Sequence, residues 1–480
     1  MQRRVAVVSL AIAAAILSGC LPETRMLWSP DGKYALVRGG DGLYLSDGDG
    51  KLSPRIAEDV QAVAWMPDGR QFIAACGKTL ATGKELLPYL SNEREKAAKS
   101  EADAFRAEIL AYDGDWGKFY FKTSSSDIRA ALICLRDLYG KELAPVVGDR
   151  WRGIEEVSHE VQRIHLFDVA DGQAKENKVL LESLEPVAEI RVSPTGKAFA
   201  YVAPPYPALG AEAAFSLFVA SFESPDKAMH VASRVSIFFD WTPEGRSLVF
   251  ATTSQPDRGA PGRRASFHSG NLVYLRSRMS VFGHDAGSRL GTIEKGTYVN
   301  EDGTVADKVS PQSIADVSFF DSMPVRCLRT GRVLFASHEQ HLPDTPDKRP
   351  TGLTLFSVGL EAPRSIEKVL TAEAEKRGGD RLDLFQVSPD ETRVCIPNEN
   401  GGITVADLAT GKVIELGAED TDIDATIPVW RSKDELCFVV KKDSKLGTAK
   451  RNEMVLWSSS GTRCISKDWP ESIAKGFLDR

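Results

Sequence analysis

The sequence predicts an all-β protein, a β-propeller of about seven four-stranded blades, and three observations lead to this prediction. A turn of the type Ser-Pro-Asp-Gly recurs along the 480 residues, an apolar residue or tryptophan precedes the proline by two positions, and a short apolar run follows each turn. Repetition of one small β unit at intervals of tens of residues is typical of propellers. Because each blade is covered on both faces, its strands read as continuous apolar runs.

The first turn shows the local chemistry. In Ser29-Pro30-Asp31-Gly32 each residue suits a type I turn, and the glycine takes the left-handed position that closes a hairpin with a bulge. The apolar runs 27–28 and 34–37 on either side are long enough for strands and too short for helices. This stretch is therefore predicted to be a β-hairpin.

Seven repeats align on the residue two positions before the proline. Apolar runs follow each turn, and runs such as "IHLFDVADG" and "NKVLLES" supply a third and a fourth strand. The last three turns have drifted from the pattern, and a stretch at 116–122 ("WGKFYFK") could belong to a degenerate eighth blade. The aligned positions, called here the repeat column, are Trp28, Trp65, Val192, Trp241, Cys327, Val387 and Trp430.

The hairpin "W-S-P-D-G-K" with its following strands resembles the WD-repeat-like propeller repeat of TolB-type proteins. The resemblance covers residues 26 to about 466 and implies a propeller fold, whereas function is not implied by fold. TolB proteins carry an α/β domain ahead of their propeller. Since the first repeat here begins at residue 26, we expect no counterpart of that domain.

The first residues predict a lipoprotein signal. Arg3 and Arg4 precede an apolar run at 5–17 that is shorter than the ~20 residues of a membrane-spanning helix. The following "LSGC" resembles a bacterial lipobox, which implies cleavage after residue 19 and acylation of Cys20, with 20–25 as a tether to the bilayer. We therefore expect a lipid-anchored protein of the bacterial cell envelope. Leu21 favours the outer membrane, with the propeller in the periplasm or at the cell surface.

Charge and composition exclude one class of partner. The formal net charge is −7, and it becomes more negative when Arg3 and Arg4 leave with the signal, so nucleic acid is not an expected partner. Hydrophobic residues at 42% and charged residues at 26% are typical of a globular chain.

Six cysteines remain after acylation, and an even number in an exported protein suggests disulfides. The predicted blades argue otherwise, because Cys437 and Cys464 would lie on strands separated by a third strand. We expect mostly free, buried thiols, with Cys327 in the repeat column as a small buried residue.

One repeat contains a long insertion at 77–162, between the second and third strands of the second blade. Stretches at 90–112 and 124–143 have the composition and the apolar spacing of helices. The domain prediction is thus a propeller at 26–469 with this helical insertion, followed by a tail at 470–480. Connections between second and third strands share one face of the disc, and we expect binding on that face.

Two groups of charged residues on this face are candidate sites. A basic group could bind an anionic partner, and an acidic stretch, "EDTDID", could bind Ca²⁺ through clustered carboxylates. The sequence contains no H-E-x-x-H, G-x-S-x-G or C-x-x-C motif that would indicate a catalytic centre. The candidate binding residues are Arg258, Arg263, Arg264, Lys441, Lys442 and Lys445, and the candidate calcium ligands are Glu419, Asp420, Asp422 and Asp424.

These features favour a non-catalytic function, a membrane-anchored scaffold that binds an envelope protein or peptide through the face with the insertion. The alternative is a propeller enzyme of the hydrolase or lyase type, with acidic or histidine side chains from several blades meeting in the central mouth. A third hypothesis is a structural role in an envelope assembly, which predicts an exposed apolar patch on the helices.

Overall fold

The computed structural model describes the following residues: 24–112, 114, 126–203, 215–245, 247–253, 275–283, 298–299, 305–306, 312–319, 325–338, 353–360, 366–398, 401–417, 421, 426–442, 444–446, 451–471 and 473–474. Within them, 28 strands pair, always antiparallel, in a series of sheets that follow one another along the chain. The architecture is an all-β propeller.

Sheets 1 and 2 come from the first two repeats. Sheet 1 consists of β1 (Met26–Trp28), β2 (Tyr34–Gly39) and β3 (Gly42–Asp47). Sheet 2 consists of β4 (Val60–Trp65), β5 (Gln71–Leu80), β6 (His159–Ala170) and β7 (Gln173–Ser183).

Sheet 3 has seven strands. It begins with β8 (Glu189–Val192), β9 (Ala198–Ala203), β10 (Phe215–Ser221), β11 (Met229–Trp241), β12 (Ser247–Thr253) and β13 (Leu275–Gly283). A two-stranded hairpin follows, β14 (Tyr298–Val299) with β15 (Val305–Ala306), and β16 (Gln312–Phe319) then completes sheet 3 next to β13.

Sheets 4, 5 and 6 have four strands each, in sequence order. Sheet 4 consists of β17 (Val325–Cys327), β18 (Arg332–His338), β19 (Leu353–Gly359) and β20 (Ile366–Lys368). Sheet 5 consists of β21 (Gln386–Val387), β22 (Arg393–Pro397), β23 (Ile403–Asp407) and β24 (Val413–Leu416). Sheet 6 consists of β25 (Val429–Ser432), β26 (Glu435–Val440), β27 (Glu453–Ser458) and β28 (Gly461–Cys464).

The blade count differs from the prediction. Apart from the β14–β15 hairpin, the described strands form six sheets rather than seven or eight separate blades. The third and fourth repeats share β11, whose first half pairs with β10 and whose second half pairs with β12. Since Met229–Trp241 contains neither glycine nor proline, nothing in its sequence interrupts the strand.

The recurrent turns adopt the predicted geometry. In the first, Gly32 has φ 69°, its N–H donates to the Ser29 carbonyl at 2.8 Å, and Ser29 Oγ donates to Asp31 Oδ1 at 2.7 Å. In the drifted turn at 388–391, Ser388 and Asp390 repeat the hydroxyl-to-carboxylate bond, again at 2.7 Å. In this turn Glu391 stands where the other turns have glycine, and its φ is 62°. The turn therefore keeps the left-handed backbone conformation even without glycine.

The helices between β5 and β6 are α1 (Gly83–Leu86), α2 (Asn92–Leu110), α3 (Ser126–Val147) and α4 (Arg152–Glu155), and α5 (Ala372–Gly378) precedes sheet 5. Short 3₁₀ segments lie at Leu87–Tyr89, Gly148–Trp151 and Gly379–Leu384. The predicted strand at 116–122 lies outside the described residues. None of the helices in the described ranges has the length and apolarity to cross a membrane.

Sheets 1 and 6 meet without sharing a strand, at what we call the seam. Met26 and Trp28 pack with Met454, and Trp469 and Ile473 lie in the same cluster. The Trp469 indole N–H donates to the Gly50 carbonyl at 2.8 Å, and an ion pair joins Arg463 to Asp49 at 3.0 Å. The ring is therefore closed by side chains rather than by a common β ladder.

Candidate functional site

A central channel of about 720 Å³ runs between the sheets. Residues of eight strands line it: sheet 3 contributes both β8 and the second half of β11, and Arg38 of β2 joins the first strands of the other sheets. The other lining strands are β1, β4, β17, β21 and β25, the first strand of each remaining sheet. The repeat column lies on these strands, so the residues that define the repeat also surround the channel.

The four column tryptophans are buried. Trp28, Trp65, Trp241 and Trp430 are 6, 8, 3 and 8% exposed. The indole N–H of Trp241 donates to the Arg191 carbonyl and that of Trp430 to the Gln386 carbonyl, both at 3.2 Å. Each acceptor lies on the first strand of the preceding repeat, so the indoles connect neighbouring repeats at the channel wall.

Three consecutive repeats place charged residues in the channel, in a group that we call the charged cluster: Glu189, Arg191, Asp240 and Arg326. Arg191 donates from Nε to Glu189 Oε1 at 3.2 Å and from Nη1 to Asp240 Oδ1 at 3.0 Å. The second oxygen of Asp240 accepts the main-chain N–H of Cys327 at 2.9 Å. Asp240 thereby connects β8, β11 and β17.

The fourth member, Arg326, has no carboxylate partner within ion-pair distance among the described residues. It is half-buried and lines the channel, and its Nη1 donates to the carbonyl of its neighbour Val325 at 3.2 Å. A guanidinium has five N–H donors, and within the described residues one hydrogen bond of the Arg326 side chain is seen.

Arg191 and Arg326 differ in pKa because only Arg191 forms ion pairs with carboxylates. Burial, and then repulsion by Arg191, lowers the pKa of Arg326 from 12.5 to about 10. Burial alone would also lower the pKa of Arg191, but Asp240 and Glu189 raise it above its ordinary value. Burial also raises the pKa of the adjacent Cys327 thiol well above its ordinary range, so this thiol is neutral.

Two carboxylates from different repeats, Glu189 and Asp240, share one arginine in the channel wall. Glu189 and Asp240 both contact Arg191, which lies between them as their common donor. Each carboxylate is therefore engaged in an ion pair.

The predicted binding residues are only in part described. Lys441, Lys442 and Lys445 follow β26 and are exposed, on the connection between the second and third strands of sheet 6. Arg258, Arg263 and Arg264 lie outside the described residues, as does the acylation site Cys20. The six other cysteines are free thiols, and four of them are buried, whereas Cys327, which was predicted to be buried, and Cys464 are partly exposed.

The predicted calcium ligands Glu419, Asp420, Asp422 and Asp424 also lie outside the described residues. Within the described ranges, no three histidine, cysteine or acidic side chains are grouped as metal ligands. Thr421, between the predicted ligands, is buried, and its Oγ1 accepts the Gly402 N–H.

The charged cluster was not predicted from the sequence, although a signal existed. Arg191, Asp240 and Arg326 each immediately precede a column residue, in three consecutive repeats, and the corresponding residues of the first two repeats, Leu27 and Ala64, are apolar. Side chains alternate in direction along a strand, so these residues lie on the opposite side from the column. A charged residue that recurs immediately before the column residue therefore indicates that the channel wall is polar.

No family model matches the sequence, and no curated protein matches it. Several solved structures are similar to it. The chain is similar to the acylaminoacyl peptidase of Pyrococcus horikoshii, with 13% identity over 64% of this chain and 41% of that one and a TM-score of 0.37. It therefore spans less than half the length of that peptidase.

Two further similar structures are covered over most of their length. The Cps50 (Swd1) β-propeller domain of Myceliophteria thermophila has 11% identity over 91% of this chain and 96% of that one, with a TM-score of 0.42. A putative TolB from Agrobacterium tumefaciens has 11% identity over 60% and 83%, with a TM-score of 0.34. At these identities the likeness concerns the fold alone.

Proposed function

We propose that this protein is a lipid-anchored propeller of the bacterial cell envelope that binds an envelope protein or peptide through the face bearing α1 to α4. The observation that supports it most is a set of exposed apolar side chains on α2 and α3. Among the described residues, three of the five large exposed apolar side chains lie on these two helices: Leu110, Leu138 and Val146, exposed by 46, 54 and 44%.

The helices form a body with its own core, joined firmly to the propeller. Leu132 and Leu135 of α3 are fully buried in this core, together with Leu80 and Val161 from the ends of β5 and β6. Arg136 donates to the carbonyls of Glu155 and Val157, which connects α3 to the start of β6. The exposed apolar side chains are therefore presented on a rigid support.

The register of α2 against α3 places the apolar residues together. Tyr139 donates to Asp103, and Arg106 forms a bidentate ion pair with Glu142, both with an offset of 36 residues. A constant offset indicates two helices running in the same direction. Continued for one more turn, this offset would place Leu110 level with Val146.

Along α3, Leu138, Glu142 and Val146 are four residues apart and so share one face. Apolar side chains surrounding an exposed ion pair, next to polar residues, form the kind of surface that protein interfaces use. Lys441, Lys442 and Lys445 lie on the same face of the disc and would extend this surface toward an acidic partner.

The membrane anchor in this proposal is the lipid on acylated Cys20, which the sequence predicts. The outer membrane is the favoured location. Residues 20–25 make a tether of at most ~20 Å at the extended-chain rise. The propeller would then remain close to the membrane, where an envelope partner is within reach.

The proposal is tested by photo-cross-linking in the cell envelope, with a photoreactive phenylalanine at position 138 or 146. We expect both positions to yield one adduct of the same mass, and Leu110→Lys to remove it. The matched control is position 414, where Ile414 is an exposed apolar residue of β24. Identical adducts from position 414, or none from 138 and 146, would reject the helical surface as the binding site.

A further inference from the structure

We propose that the face of the disc bearing α1 to α4 is turned toward the lipid bilayer, and that the partner bound there is a protein embedded in the same membrane. This inference rests on the proposed function, since it takes the lipid on Cys20 as the anchor. It adds the orientation of the disc and the class of the partner. Three observations carry it: the face on which β1 begins, the position of its start beside the channel, and the short distance from there to Cys20.

The recurrent turns lie together on one face of the disc, called here the turn face. An added Cβ on Gly69 would lie 3.5 Å from Asp31 Oδ1, so the turns of the first two repeats are neighbours. Nε of Arg431 donates to the Gly32 carbonyl at 3.0 Å, which brings the end of β25 beside the first turn. Since β1, β4 and β25 all run into this group of turns, all three strands begin on the opposite face.

The start of β1 lies on the same face as the helices. Arg25, directly before β1, accepts the Arg38 N–H on its carbonyl at 2.8 Å, and its own N–H donates to Thr426 Oγ1 at 3.0 Å. Arg38 lies near the end of β2 and Thr426 precedes β25, so both belong to the face opposite the turns. β5 leaves the turn at 66–69 and ends on that face at Leu80, where the helices follow.

The chain enters the disc beside its axis, because Thr24 lines the central channel. Cys20 is four positions earlier, so at the extended-chain rise it lies at most ~14 Å from Thr24. For the turn face to lie against the membrane, this connection would have to pass along the channel or around the rim. Either route must cover the thickness of the disc, which for the six residues of β2 is ~20 Å. Four residues are too short, so an anchor at Cys20 turns the face with the helices toward the bilayer.

The exposed side of α3 points away from the disc. Arg136 donates to the carbonyls of Glu155 and Val157, which lie where the chain returns to β6. An α-helix turns by ~100° per residue, so Leu138 lies ~200° further around α3, nearly opposite Arg136. The exposed Leu138 is therefore directed from the disc toward the membrane.

The space between disc and bilayer limits the class of partner. An α-helix with its side chains is ~10–12 Å across, so α2 and α3 occupy most of the distance that the tether allows. A compact soluble domain of about 100 residues has a radius of gyration of about 13 Å and is too wide to enter this space. A protein embedded in the bilayer presents its surface from the membrane side and needs no such space.

The orientation is tested with the full acylated protein in vesicles of phosphatidylethanolamine and phosphatidylglycerol, without any partner. A fluorescent amino acid replaces Leu138 or, as the matched control, the exposed Lys33 on the turn face. The quencher is a nitroxide on the lipid headgroups. We expect strong loss of fluorescence at position 138 and little at position 33, because the disc separates position 33 from the lipid. Equal loss at both positions, or greater loss at 33, would overturn the inference.

A variant with a longer tether tests the cause of the orientation. Insertion of about 20 glycine and serine residues between Cys20 and Thr24 adds a flexible span of ~25 Å, which allows the disc to turn over. The difference in quenching between positions 138 and 33 should then disappear. An unchanged difference would overturn the tether as the cause of the orientation.

The class of the partner is tested in native membranes, with a photoreactive phenylalanine at position 138. Cross-linking is compared before and after a high-salt wash that removes soluble and peripheral proteins, and we expect the same adduct in both. An adduct that is lost on washing would overturn the embedded partner and leave the proposed function intact. No adduct in either sample would reject the proposed function together with the partner named here, whereas quenching in vesicles decides the orientation independently. Protein that does not remain with the membrane fraction would overturn both the anchor and the orientation.

Discussion

The indole N–H of Trp65 donates to the main-chain oxygen of Leu27 at 2.9 Å, and this bond joins sheets 1 and 2, which share no strand. Leu27 precedes Trp28, the column residue of its own repeat. Trp241 and Trp430 make the same bond to the residue before the preceding column position. In these three repeats, one indole thus links the first strand to the first strand of the preceding repeat.

This relationship predicts different costs for equivalent mutations. Trp65→Phe removes the donor and leaves the Leu27 carbonyl unsatisfied, so it should lower the free energy of unfolding by about 1–3 kcal/mol. Trp28 Nε1 is buried and makes no such bond to a carbonyl, and the thiol of Cys437 beside it is a weak acceptor, so Trp28→Phe should cost clearly less. Chemical denaturation of the two variants measures the difference, and equal costs would show that lost volume alone decides the effect.

Two glycines of the recurrent turns, Gly32 and Gly69, allow a second comparison of the stability cost of one substitution at equivalent positions. Gly32 and Gly69 have φ 69° and 68°, so alanine at either position is strained by about 1–2 kcal/mol. At Gly32 an added Cβ would lie 2.9 Å from the Arg431 carbonyl oxygen, whereas at Gly69 the nearest atom is 3.5 Å away. Gly32→Ala should therefore be the more destabilising by about 1 kcal/mol. A smaller effect at Gly32 in thermal unfolding would contradict this.

Asp407 predicts a dependence of stability on pH. Hydrogen bonds from the backbone and side chain of Thr410, and from the Ala409 N–H, lower the pKa of its carboxyl below the ordinary value of 3.8. The folded state thus favours the charged form, and this stabilisation is present above pH 3.8 and is lost as the pH falls through the lower, folded-state pKa. Asp407→Asn should be less stable than the wild type at pH 7, and the gap should narrow below pH 3.8. A gap independent of pH would contradict this origin.

Acylation at Cys20 predicts a change of compartment. Cys20→Ala removes the sulfur that would carry the lipid, so the product should remain unprocessed or become soluble. Fractionation of membranes and mass measurement of the N-terminus test this, with Cys134→Ala, a change of a buried thiol in α3, as the control. Membrane association and cleavage that are unchanged in Cys20→Ala would exclude the lipoprotein prediction.

The helices between β5 and β6 should be dispensable for the fold. Leu80 and His159 are direct partners in the β5–β6 ladder, so a two-residue Asn-Gly turn can replace residues 81–158. The shortened protein should unfold cooperatively, because sheet 2 keeps its ladder, while cross-linking to a partner is lost. Removal of the helices exposes Leu80 and Val161. A second version of the shortened protein, with both residues changed to threonine, makes this surface less apolar and so controls for aggregation. Failure of both versions to fold would make the helices part of the propeller core.

Local patterns predicted the strands, turns and helices, since each depends on a few neighbouring residues. The fusion of two repeats through β11 was missed because a repeat alignment assumes a break between repeats, whereas the sequence from Met229 to Trp241 has no residue that would cause one. The charged cluster was missed because its members are far apart in sequence, with Asp240 and Cys327 separated by 87 positions. Packing of the first strands of neighbouring repeats, β8, β11 and β17, brings them together.

The seam has a consequence for the order of events during synthesis. Gly50 and Trp469, which form its closing hydrogen bond, are 419 positions apart. At about 5–20 residues per second a ribosome needs roughly 20–80 s to cover that distance. Throughout that interval Met26 and Val37, which the finished ring buries completely, have no partner from the last sheet. The nascent chain thus exposes an aggregation-prone surface until its final segment emerges, and a holdase that keeps it extended would raise the yield of closed rings.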